Sequence, residues 1–496
     1  MLFNSYQFFI FFPLVVFFYF IIPYKYRWIF LLIASYYFYM SWNPAYIILI
    51  ILSTLIDYFA GIMMGKTAEI KSRRKYLILS LIANLGLLFT FKYFNFFNDT
   101  MRHIFTYMNF NYQIPHSNLL LPVGISFYTF QTLSYTIDVY KGGREPEKHL
   151  GYFALYVSFF PQLVAGPIER STRLLPQFYE KYDVDYDRIT DGLKLMMWGL
   201  FKKVVIADRV SALVNTVYNN PSDFTGIPLI IATIFFAFQI YCDFSGYSDI
   251  AIGGAQVLGF KLMDNFNRPY FSKSIDEFWK RWHISLSTWF RDYLYITLGG
   301  NRVSIPRWYL NLFLTFLISG LWHGANWTFI IWGALNGFYL LFSIWTKHIR
   351  HSFNEIIGLN KRPGLHKYIK VGITFFLTCI AWVIFRANSI QDAFYIFSHI
   401  ITGTWDLILS LIHKEWMNAK FLLTGQGLGM GNRDFILSLI SIGIMEYIHL
   451  IQRHGRIRHM LKNKPVLFRW FLYFLIVLMI LFFGVFNKSQ FIYFQF

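Results

Sequence analysis

From Tyr46 to Met64 the chain passes through nineteen residues with one charged side chain, Asp57, and from Phe471 to Phe486 through sixteen with none. Crossing a bilayer takes about 20 mostly apolar residues per helix. Only helices and closed barrels satisfy their own backbone in hydrocarbon. Comparable runs recur at residues 8–22, 28–40, 76–97, 227–241, 309–321, 327–342, 371–384 and 435–451. The first two are short and need tilt or local thinning. Of 496 residues 56% are hydrophobic and 14% charged, against about 25% charged in soluble domains. No polar stretch is long enough to fold alone. The expectation is an all-α polytopic membrane protein, a single integral domain over residues 1–496 with the lipid bilayer as its surroundings.

The formal charge of +19 does not mark a nucleic-acid binder. Lys and Arg fall in short clusters between apolar runs, as cytoplasmic loops require. Five basic residues lie within 66–75, and others within 347–370 and 452–469. Placing these inside puts the N-terminus, residues 98–117 and the tail 487–496 outside, provided that 393–412 lies along the interface. The N-terminus lacks a basic leader and a cleavage site, so it is expected to be a retained span. Cys242 and Cys379 are the only cysteines, which excludes a disulfide framework and a Cys-rich zinc site; no metal is expected.

Asp243-Phe-Ser-Gly-Tyr-Ser-Asp249 interrupts apolar surroundings, so short or re-entrant helices around a cavity are expected there. Ser274-Ile-Asp-Glu277 is a capping box. It predicts a helix through Tyr293 with Phe278, Trp282, Ser285 and Trp289 along one row and Trp279, His283, Leu286 and Phe290 along the next. Its tryptophans suit the membrane interface, with His283 turned inward. Asp243, Asp249, Arg281 and Arg291 could line a polar funnel, or pair with one another so that they can be buried.

His283 and His323 stand 40 positions apart. His323, in Gly320-Leu-Trp-His-Gly324, lies between apolar runs. An imidazole at membrane depth is costly and by default functional. It fits a general base, its unperturbed pKa of about 6.5 allowing deprotonation of a hydroxyl near neutral pH. It fits equally a polar group hydrogen-bonded where Gly320 and Gly324 let two helices approach. His283 is an amphipathic filler or the partner of His323. A transporter would also use intramembrane histidines and broken helices. There is no G-x-S-x-G elbow, H-E-x-x-H, P-loop or zinc spacing, and neither histidine has an aspartate five positions on.

Leu121-Pro-Val-Gly-Ile-Ser-Phe-Tyr-Thr-Phe-Gln131, Ile137-Asp-Val-Tyr140, Phe159-Phe-Pro-Gln-Leu-Val-Ala-Gly-Pro-Ile-Glu-Arg170, Tyr241–Asp249, Phe278–Tyr293 and Leu321-Trp-His-Gly324 together resemble the membrane-bound O-acyltransferase family. The bacterial branch that serves alginate and peptidoglycan O-acetylation and teichoic-acid D-alanylation is the nearer likeness. The resemblance implies a ring of about 11 transmembrane helices, with re-entrant and interfacial helices around a central funnel. It implies His323 as the catalytic histidine and His283 as the second. It implies no bound cofactor, acetyl-CoA as acyl-donor substrate, and residence in the bacterial inner membrane. An extracytoplasmic SGNH-type acetyltransferase would be the partner that hands acetyl to a polysaccharide. Gly299-Gly-Asn301 and the length resemble the O-acetylation members, leaving D-alanyl transfer as the alternative. Phe491-Ile-Tyr-Phe-Gln-Phe496 is similar to an aromatic C-terminal motif of this branch, which implies Tyr493 as an acyl relay; an interfacial anchor is the other reading.

Overall fold

The computed structural model describes residues 1–67, 69–413, 428–486 and 491–492. Among the described residues every regular element is helical. Eight helices among the described residues are long and apolar enough to cross a membrane: Pro44–Lys66, Ile70–Tyr107, Ile227–Leu258, Trp327–Trp345, Pro363–Arg386, Ile390–Ile412, Asn432–His454 and Val466–Phe483. The shorter apolar helices Tyr6–Ile21 and Tyr24–Met40 occupy the two N-terminal runs. The chain is therefore an all-α, multi-pass membrane protein. The stretch expected along the interface forms part of one 23-residue helix, Ile390–Ile412, which has the length and apolarity to cross.

The chain divides into two compact units, residues 1–196 with 248–264, and residues 197–247 with 265–496. The first is knotted by buried polar side chains. Asp57, fully buried on the helix Ile47–Lys66, accepts from Ser80 Oγ and, at 3.0 Å to each oxygen, from Asn84 Nδ2. Ser53 Oγ donates to Asn84 Oδ1 at 2.6 Å, and Ser80 Oγ lies 3.2 Å from Thr136 Oγ1. Where lipid offers nothing to bond, such groups must find one another across helices.

The second unit is built on aromatic packing. Trp282, Trp332 and Trp382 are all almost fully buried. The Trp382 ring lies 5.1 Å from Trp282 and 6.0 Å, stacked, from Trp332. Ile305–His323 and Trp327–Trp345 form a hairpin whose helices touch at Gly320 and Gly333. A Cβ at Gly320 would overlap the Phe329 carbonyl oxygen and stand 2.9 Å from Gly333 Cα. The small-residue contact is thus made by Gly320 with Gly333. Gly324 lies beyond the helix end, in extended backbone.

Two expected features differ. Asp243 and Asp249 sit inside one continuous 32-residue helix, Ile227–Leu258, because Asp243 finds a cation in place: Lys203 Nζ at 2.7 Å. The arginines do not join it. Arg281 pairs with Glu277 at 2.6 Å and Arg291 with Asp292 at 2.8 Å.

Candidate active site

The hydroxyl half of the capping box forms as expected, while the Glu277 carboxylate reaches one residue further back. Ser274 Oγ accepts from Glu277 N at 3.1 Å, and Glu277 Oε2 accepts from Lys273 N at 2.7 Å. The helix it opens, however, ends at Trp279. A second begins only at Ile284, runs to Trp289 and continues as a π-helical turn through Tyr295, so the two predicted rows of side chains are broken at residues 280–283. The break has a local cause in Asn265. Its carbonyl accepts from Ile284 N at 2.9 Å and its Oδ1 from Ser285 N at 3.2 Å, taking two N–H groups that a continuous helix would have used. Nor is this an interfacial helix: Phe278, Trp279, Trp282, Trp289 and Phe290 are all buried.

His283 occupies the break. Its backbone is left-handed, φ 43° and ψ 54°, a region that residues with a Cβ seldom enter and that concentrates at functional sites. The side chain is 1% exposed. Its Nδ1 lies 3.1 Å from Asn265 Oδ1, an atom that also accepts from Ser285 Oγ at 2.9 Å. A backbone N–H can only donate, so the bond from Ser285 N identifies that Asn265 atom as the oxygen. His283 Nδ1 must then carry the hydrogen, which leaves the lone pair of the neutral ring on Nε2.

His323 is the last residue of its helix and is 3% exposed. The extended Gly324 ends that helix, and Asn326 Oδ1, accepting from Thr328 N at 3.0 Å, caps the next. The His323 ring meets Trp332 at 5.0 Å, Trp322 at 5.1 Å and Phe385 at 5.6 Å, all edge to face. Trp322 also faces His283 at 6.1 Å, and Phe244 meets the His283 ring at 4.6 Å. The fold thus gathers the two histidines around one indole. Two imidazoles in an aromatic, water-poor enclosure, one with its tautomer fixed, can accept and return a proton. Tyr493 lies outside the described residues.

Sequence reasoning missed Asn265, eighteen positions before His283 in an unremarkable polar stretch. The one available signal was Ser285: a hydroxyl two residues after the histidine, bonded to the same asparagine oxygen.

Residues 147–356 match the membrane-bound O-acyltransferase family. The chain is 44% identical over 358 residues, 71% of its length and 66% of the relative's (just under two thirds), to the probable alginate O-acetylase AlgI of Pseudomonas aeruginosa. It is 40% identical over 411 residues to that of Azotobacter vinelandii, covering 82% of this chain and 79% of the relative. It is 37% identical over 389 residues to the peptidoglycan O-acetyltransferase of Helicobacter pylori, covering 73% and 71%. The family match spans both histidines and Asn265, and the similarity extends well beyond it on either side. The chain therefore belongs to the membrane-bound O-acyltransferase family and is an O-acyltransferase.

Proposed function

We propose that this enzyme takes acetyl from acetyl-CoA on the cytoplasmic side of a bacterial inner membrane and delivers it outward for O-acetylation of an extracytoplasmic polysaccharide. The names of the relatives support acetyl as the group and a wall or exopolysaccharide as the destination. The observation that carries the chemistry is the pairing of His283 and His323 around Trp322. His323 acts as the general base and His283 assists it through Nε2.

The hydroxyl that receives the group is that of Tyr493. His323 removes the phenolic proton, and the oxygen attacks the thioester carbonyl. The carbon–sulfur bond breaks, and the thiolate of CoA leaves with the proton held by the imidazolium. A phenol, with pKa about 10, needs such a base. The acetyl ester is then passed to a sugar hydroxyl by an extracytoplasmic SGNH-type acetyltransferase, regenerating the phenol.

The test uses purified protein in nanodiscs with radiolabelled acetyl-CoA. Loss of CoA release in His323→Ala, together with acetyl on the Tyr493 peptide of the unmodified protein, is the expected result. Transfer undiminished in His323→Ala would overturn the mechanism.

A further inference from the structure

The segment Asp243–Tyr247 is explained residue by residue once its neighbours are taken together. Gly246 permits a close approach: a Cβ there would stand 2.7 Å from the Gly199 carbonyl oxygen and 3.2 Å from Lys203 N. The approach is to Phe201–Ala207, a wide π-helical turn of the kind that recurs at functional sites. Lys202 Nζ donates to Ser245 Oγ at 2.8 Å. Lys203 Nζ bridges Asp208 and Asp243, each at 2.7 Å. All three members of that triad are at least nine-tenths buried.

Lys203 meets Oδ1 of Asp243, and the other oxygen, buried with it, must be answered by a hydrogen-bond donor. One answer comes from far along the chain. Ile492 N donates to Asp243 Oδ2 at 2.9 Å. The two described residues of that segment are sealed in, Phe491 at 1% and Ile492 at 3% exposure. The Phe491 ring lies 5.0 Å from Tyr247 and 5.8 Å from Phe244. Phe244 is the same ring that meets His283 edge-on at 4.6 Å. Phe491 is therefore one aromatic ring away from the imidazole, and the residue that follows Ile492 in the chain is Tyr493.

We propose that Asp243, held by Lys203, is a positioning residue that seats the C-terminal segment beside the histidines by gripping the backbone of Ile492. The carboxylate does not touch the reacting atoms. Its part is to fix the depth and direction of Ile492, next to the packing of Phe491 against Tyr247 and Phe244. A backbone N–H on a carboxylate does this because it is directional and charge-assisted. The role given to this segment in transfer rests on the relay proposed above; the grip itself does not.

Hydrogen–deuterium exchange on the full-length protein in nanodiscs tests the grip, read on the C-terminal peptide. Ile492→Pro removes the donor along with part of a buried side chain, Asp243→Ala removes the acceptor while leaving Lys203 paired with Asp208, and Ile492→Val, which trims the same side chain but keeps the N–H, is the control. Loss of a hydrogen bond to a charged group should raise exchange of that peptide about tenfold or more in the first two. The control should match the parent, and peptides of Ile305–His323 should be unchanged in all. A C-terminal peptide that exchanges equally in the parent, Ile492→Pro and Asp243→Ala overturns the proposal. Should Asp243→Ala not fold, Ile492→Pro decides alone. Acetyl transfer separates this from the relay. If the grip positions the acceptor, Ile492→Pro lowers kcat and leaves KM for acetyl-CoA unchanged. Full transfer by Tyr493→Phe would refute the relay and leave the exchange result standing. Transfer lost in Tyr493→Phe but undiminished in Ile492→Pro would refute the positioning role.

Discussion

Asn265 does more than any single residue to define the candidate site. One side-chain oxygen receives His283 Nδ1, Ser285 N and Ser285 Oγ, and its backbone carbonyl holds Ile284 N. Removing it frees two backbone N–H groups to resume a helix and deprives the imidazole of the partner that fixes its tautomer. Asn265→Ala is therefore expected to lower turnover by about 10- to 100-fold, as loss of an orienting partner does elsewhere, with the protein still inserted and monodisperse. Asn265→Asp should retain more activity than Asn265→Ala, since it keeps an acceptor at the same place. Equal activity in the two, or undiminished activity in Asn265→Ala, would refute this account. The role of Asn265 was not legible beforehand apart from the hint in Ser285. The cost of a membrane histidine pointed to His283 and His323, but hydrogen bonds from a residue eighteen positions away leave no mark on periodicity.

At the scale of elements, the sequence showed where helices begin better than where they stop. The Ser274 hydroxyl cap is local, and it forms. The end at Trp279 is imposed from outside the segment, so a periodic pattern carried across residues 280–283, where the helical backbone is interrupted before resuming through Tyr295. The reverse held at Asp243–Asp249, where polar residues suggested a break and a lysine from another helix prevented one. The Gly320–Gly333 crossing carries its own prediction. Gly320→Leu has no room against the Phe329 carbonyl and should cost about 1–3 kcal/mol, the usual penalty for overpacking. It should also cost activity, because His323 is one turn further along the same helix. Gly372→Leu, on Pro363–Arg386 with nothing within 4 Å of the added carbon, should leave melting temperature and activity unchanged. Similar melting of the two variants would show that the crossing is slack.

For the molecule as a whole, apolar runs and basic loops conveyed the class at once, because lipid imposes length and composition on each crossing separately. The exact set of crossings was less legible, and the 23-residue helix Ile390–Ile412 shows why: its length permits a passage that charge placement alone argued against. Impermeant maleimide labelling can assign the sides. Cys242 and Cys379 are both buried and should contribute little background. With basic loops inside, Asn111→Cys should label in intact cells and Ser352→Cys, on the exposed helix Lys347–Ile356, only after permeabilisation. The opposite pattern would invert the proposed direction of acetyl delivery.

The left-handed backbone at His283 opens a route to chemical complementation. That conformation costs a residue with a Cβ roughly 1–2 kcal/mol and costs glycine nothing comparable. In His283→Gly the relieved strain offsets part of what the lost ring costs, leaving a vacancy of imidazole's own shape walled by Phe244 and Trp322. Free imidazole, added from solution, becomes a removable side chain. If it restores turnover in His283→Gly in a saturable way and does nothing for His323→Gly, the contribution of each ring can be titrated separately within one protein.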